Sequence, residues 1–217
     1  MRGATDTPPS PALTHALLAL VAEVRQELGS AFIDAAIGYN TVLLIIDFTK
    51  AQRTQMLSWL SGRVLSTETT TSDAPVKPDV TLPVYYHPEV GPDLEPLSES
   101  LGLSTAEIIQ LHTSSCYFAY ATGFAPGFCY LGNLDTRLHY PRLATPRPKV
   151  AAGSVAIAEQ QTAVYPRSSP GGWHILGRCP TPLFELTREP PGTLQIGQWV
   201  QFTPIGRQEF LALGGVL

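Results

Sequence analysis

Four short stretches between residues 123 and 180 gather side chains that could hold an anion and move a proton. The first is the loop Gly123-Phe-Ala-Pro-Gly-Phe-Cys-Tyr-Leu131. Its two glycines and proline fix a turn, and Phe124, Phe128 and Tyr130 set aromatic surface beside bare backbone amides. Such a loop can wall a pocket and offer N–H donors to an anionic group. It equally suits an aromatic-packed corner between strands. The second stretch joins Pro141 to Arg142 and Pro146 to Arg147, with Lys149 beyond. Proline stiffens the chain before each arginine, so a planar fork could be aimed at a carboxylate or phosphate. A pair of solvated surface charges would read the same way. The third runs from Gln161 through Tyr165 to Pro170-Gly-Gly-Trp173-His174, and the fourth is Gly177-Arg-Cys-Pro180. If alternate residues point into one barrel mouth, Gln161, Tyr165, Trp173 and Arg178 converge. Gly171 and Gly172 need no function beyond a tight turn.

His112 stands just before these stretches, at the end of a helix. An imidazole there could act as acid or base, or it could neutralise the helix C-terminus. The remaining histidines show no HxxxH or HExxH spacing, so no metal site is expected. There is also no phosphate-binding GxxxxGK[ST], no GxGxxG after a strand and no GxSxG elbow.

The elements that must position these residues follow from periodicity. Leu13, Leu17, Leu20, Val21, Val24 and Leu28 recur at helical spacing and Gly29 supplies a stop. A buried strand is expected over residues 41–47, and Thr49-x-x-Gln52 reads as a capping box for a helix ending near Gly62. Residues 66–78 show no periodicity and mark a linker. The chain therefore divides into a small α+β part, 1–78, and a larger part, 79–217. Beyond the linker come a strand near 82–86, helices over 93–101 and from Ser104-x-x-Glu107 onward, and then short strands over 117–121, 154–158, 162–165, 174–176 and 198–202. Most of the 20 prolines and 18 glycines fall among these strands, which favours a closed or nearly closed β-barrel.

Composition narrows the classes. A net charge of −4 with no Lys/Arg run argues against nucleic acid as a partner. No apolar run approaches the ~20 residues that span a bilayer, so no membrane segment is expected. Cys116, Cys129 and Cys179 form no CxxC pair, which suits reduced thiols and a cytoplasmic location.

Taken in order, Tyr85-Tyr-His-Pro-Glu-Val-Gly-Pro-Asp-Leu94, Leu111-His-Thr113, Gly123–Leu131, Pro141-Arg142, Pro146-Arg147, Gly153-Ser-Val155, Gln161-Thr162, Tyr165-Pro166 and Pro170-Gly-Gly-Trp173 resemble one family across residues 82–205, that of the Kip inhibitor, the 5-oxoprolinase B-type subunit and allophanate hydrolase subunit 1. That resemblance implies a cyclophilin-like β-barrel after a small ferredoxin-like α+β domain. It implies a larger partner chain, the C-type subunit of 5-oxoprolinase or a Kip antagonist-like chain. A third chain, the A-type subunit, joins them in an ATP-dependent opening of 5-oxoproline to glutamate. Other branches carry out carboxyl transfer in urea metabolism or inhibit a sensor histidine kinase. On the enzyme reading, His112, Arg147, Gln161, Tyr165 and Arg178 are the expected catalytic group, and Phe124, Phe128, Trp173, His174 and Arg142 the substrate-binding group. ATP is expected to be shared with the partner subunits. The sequence departs from the family pattern in having no strand before Leu13, Cys179 where threonine is usual, and Gln198 where Asp is frequent.

Overall fold

The computed structural model of the chain describes residues 9–62 and 76–217. It falls into two compact units, Met1–Ala74 and Pro75–Leu217. The linker expected at 66–78 lies, up to residue 75, outside the described residues.

In the first unit, helix α1 (Pro11–Leu28) starts at Ser10, whose side chain accepts from the Leu13 N–H at 3.2 Å, and stops at Gly29 with φ 50. Strands β1 (Phe32–Ile37) and β2 (Val42–Ile46) pair antiparallel, and helix α2 (Arg53–Ser61) follows. Leu13, Leu17, Val24, Ala31 and Met56 are its buried apolar residues. Helix–strand–strand–helix is the inner part of a βαββαβ ferredoxin-like unit. No strand precedes α1 among the described residues. The capping box expected at Thr49 is not made. Asp47 captures Thr49 instead, accepting from its hydroxyl at 2.6 Å and its N–H at 3.0 Å, so α2 starts after Gln52. An Asx turn has outcompeted a cap.

The second unit is built on a seven-stranded sheet of order β10-β7-β8-β5-β4-β11-β3. Its strands are β3 (Val80–Val84), β4 (Cys116–Thr122), β5 (Cys129–Gly132), β7 (Ser154–Ala158), β8 (Gln161–Val164), β10 (His174–Arg178) and β11 (Trp199–Pro204). A separate pair, β6 (Arg147–Val150) and β9 (Ser169–Gly171), lies beside them. Among the described strands β3 and β11 alone pair in parallel. Beyond β3, Tyr85 and Arg178 exchange both backbone hydrogen bonds at 2.9 Å, which joins the two edges and nearly closes the barrel. Gly177 permits that approach, because a Cβ there would lie 2.5 Å from the Tyr85 carbonyl oxygen.

Helices α3 (Leu94–Leu101) and α4 (Thr105–Ser114) bury Leu94, Leu97, Ile108 and Leu111 in the main core. The Ser104–Glu107 capping box is formed in full. Strand alternation divides the sheet residues between two clusters. Val155, Ile157 and Val164 join the main core, while Ala156, Ala158, Ala163 and Tyr165 join a second cluster around Phe128 and Trp173. Strands β5, β6 and β9 and the short helix α5 (Arg207–Ala212) are not legible as periodic runs.

Candidate functional site

The second cluster opens into a groove. Its sheet alanines Ala156, Ala158 and Ala163 leave depth on that face of the sheet, and large rings fill it. The reversal after β4 places Phe124 at φ 66, a conformation costly for an aromatic residue, with the residue 58 % exposed. Phe128 lies at the buried centre. Its ring meets Tyr130 at 4.9 Å, Phe124 at 5.1 Å, Tyr165 at 5.5 Å and Trp173 at 6.0 Å, all steeply inclined as aromatic quadrupoles prefer. The Pro170-Gly171-Gly172 turn and Arg142 complete a cleft of about 120 Å³. Gly171 is more than a turn residue here: a Cβ on it would lie 2.3 Å from the Tyr165 hydroxyl.

Arg142 supplies the positive charge of this groove. Its guanidinium carbon stands 5.8 Å from the Trp173 ring centre, and its Nε is 3.5 Å from Glu159. The chain that carries it is pinned on both sides. His174 Nε2 donates to the Pro141 carbonyl at 2.9 Å, and the Leu143 N–H donates to Gly172 O at 2.8 Å. His174 is thus buried beneath the loop and orients it. Burial raises the Tyr165 phenol, partly offset by a hydrogen bond from the Trp173 backbone, so it stays protonated near neutral pH. Aromatic walls, two phenols and one guanidinium can bind a small flat molecule bearing one carboxylate. None of the lining groups is a carboxylate or an imidazole.

The expected single pocket is not what forms. Tyr165, Arg142, Phe124, Phe128 and Trp173 meet in the groove, whereas His112, Arg147, Gln161 and Arg178 do not line it. His112 is 0 % exposed in the main core, stacked 4.6 Å from Phe202. Its Nδ1 is 2.7 Å from Tyr86 Oη and its Nε2 2.8 Å from Thr162 Oγ1. Thr162 already donates to Ala156 O, so it accepts from the imidazole Nε2–H, and Nδ1 accepts from Tyr86. Burial depresses the imidazole to about 3, which makes it a neutral structural link.

Arg147 is turned toward Asp93. Its Nη2 lies 2.5 Å from Asp93 Oδ1, and Asp93 Oδ2 accepts from the Ile175 N–H at 2.6 Å. This pair ties the start of α3 to β6 and β10. Sequence spacing does not connect Asp93 or Glu159 to its arginine, because each meets it only through the tertiary fold. Gln161 opposes Ala158 at the β7–β8 turn. Arg178 borders a different cavity of about 520 Å³, whose wall also includes Tyr165, and its Nη1 donates to the Val216 carbonyl at 2.7 Å. Among the described residues no cluster of three or more His, Cys, Asp or Glu could hold a metal, and no helix is long and apolar enough to cross a membrane.

Residues 4–194 match the family described as carboxyltransferase domain, subdomain C and D, and the chain belongs to that family. It is 45 % identical over 133 residues to the B subunit of 5-oxoprolinase from Bacillus subtilis (strain 168), covering 61 % of this chain and 55 % of the relative. It is 44 % identical over 125 residues to the protein of the same name from Escherichia coli O157:H7, covering 58 % and 57 %. The match therefore spans little more than half the length of these relatives. Among solved structures, TTHA0988 superposes with a TM-score of 0.76 at 33 % identity, over 95 % of this chain and 39 % of that one. The conserved uncharacterized protein PH0987 from Pyrococcus horikoshii gives 0.59 at 33 % identity, over 96 % and 94 %. The urea carboxylase of Kluyveromyces lactis gives 0.65 at 17 % identity, over 92 % and 20 %, a likeness of fold alone.

Proposed function

We propose that the chain is the B-type subunit of an ATP-dependent 5-oxoprolinase, acting with a larger C-type chain and a third, A-type chain. The observation that carries this reading is the 45 % identity to a protein named as the B subunit of 5-oxoprolinase. The groove supports it chemically. 5-Oxoproline is a flat five-membered lactam with one carboxylate, which suits rings on several sides and a single guanidinium. The reaction adds one water across the lactam C–N bond to give glutamate and takes up a second as ATP becomes ADP and phosphate. This chain contributes binding and orientation, with Arg142 holding the carboxylate and Trp173, Phe128 and Tyr165 holding the ring. A cleft of about 120 Å³ with one cation does not fit a triphosphate, so this reading places ATP and the proton transfers on the partner subunits.

The test is to co-express the three chains, isolate the complex and follow glutamate and ADP together. Both products should form in step and only with 5-oxoproline present. Arg142→Met in the assembled complex should raise KM by roughly tenfold or more, the loss of one charge-assisted contact. A complex that assembles but releases neither product, or a variant with unchanged KM, overturns the reading.

A further inference from the structure

Arg178 is placed as a guanidinium that lacks its natural partner. Its backbone closes the barrel against Tyr85, and its Nη1 reaches the Val216 carbonyl at 2.7 Å. Its Nε is buried and makes no hydrogen bond, and among the described residues no carboxylate pairs with it. An unsatisfied buried donor is costly, and more so on a charged group. A neutral carbonyl is a weaker cap for a guanidinium than a carboxylate, whose charge-assisted bonds are roughly twice as strong.

The adjoining cavity of about 520 Å³ is mostly apolar, with Ala151, Pro166, Pro180 and Leu183 in its wall. The segment that covers Arg178 is lightly held. It leaves Gly214 at φ 84, and Gly215 packs on Phe210 so closely that a Cβ would lie 2.4 Å from the ring. Beyond that anchor, Val216 is 74 % exposed. We propose that this cavity is a second anion site, separate from the aromatic groove. It takes a small carboxylate with an apolar body, and the carboxylate replaces the Val216 carbonyl on Arg178.

The experiment uses the full chain and reads the Arg178 Nε–H and Val216 amide signals by ¹H–¹⁵N NMR during titration with hexanoate, hexan-1-ol and inorganic phosphate. Hexanoate should shift both signals saturably, with hexan-1-ol and phosphate at least about tenfold weaker. Arg178→Met should abolish the Val216 shift. Ala151→Phe, which narrows the cavity and keeps the arginine, should weaken hexanoate by a similar factor and serves if Arg178→Met does not fold. Arg142→Met should change neither response. Equal binding of hexan-1-ol or phosphate, or wild-type binding by Ala151→Phe, overturns the proposal. Shifts confined to groove residues and lost in Arg142→Met would also overturn it, while leaving the groove's own reading intact.

Discussion

His112 makes the barrel's stability depend on pH in a calculable way. In the native state it is 0 % exposed and wedged between Tyr86 and Thr162, and burial holds it to about 3. In the unfolded chain it returns to the ordinary imidazole value of 6.5. Below that value the unfolded state binds a proton that the native state refuses. Stability contributed by the neutral link is therefore present above pH 6.5 and drains away as pH falls toward 3. At pH 5 the unfolded imidazole lies about 1.5 pH units below its own midpoint while the native one remains neutral. At 1.36 kcal/mol per unit, lowering the pH from 7 to 5 costs about 2 kcal/mol from this residue alone. Against a typical total of about 5–15 kcal/mol that is easily measured.

The assay is urea unfolding at both pH values, read from Trp173 and Trp199 fluorescence in a Trp59→Phe background, so that the first unit is silent. His112→Gln keeps a donor toward Thr162 but cannot titrate. It should be less stable at pH 7, because the ring stacked on Phe202 is lost, yet its loss between pH 7 and 5 should be smaller than the parent's by about 2 kcal/mol. Comparing the two differences removes the common contribution of every other titrating group. If parent and variant lose the same stability within about 0.5 kcal/mol, His112 is not buried and neutral as described.

Two further stability measurements test the frame around the groove. Asp93→Ala strands both Arg147 and the Ile175 N–H, and denaturant unfolding should show a loss of about 3–5 kcal/mol. A loss below about 1 kcal/mol would mean that the pair is solvated rather than structural. Gly171→Ala drives a methyl group into the Tyr165 hydroxyl and should cost about 1–3 kcal/mol by the same measurement. Adding Tyr165→Phe removes the nearest clashing atom, so the double variant should recover part of that loss; strictly additive costs would refute the contact.

Much of the fold is legible in the sequence because its signals are local. The α4 cap needs only Ser104 and Glu107, and β7, β8, β10 and β11 are short apolar runs bounded by turns. The candidate site is legible in part. Phe124, Phe128, Tyr165, Trp173 and Arg142 do meet, since Gly123–Leu131 and Pro170–Trp173 are turns whose rings have one shallow face to occupy. What fails is the assumption that alternate residues along β8 and β10 all face one mouth. Height along the strand matters as well as face: Ile175 pairs with Ala156, whereas Arg178, beyond a register shift, pairs with Ser154 near the strand end. Ile175 packs with Trp173 in the second cluster, while Arg178 borders the other cavity. Arg147 is lost to Asp93, a partner 54 residues away that no local pattern connects to it. The chain thus holds two guanidiniums in separate settings, Arg142 in the aromatic groove and Arg178 at the other cavity, and Tyr165 is common to both linings.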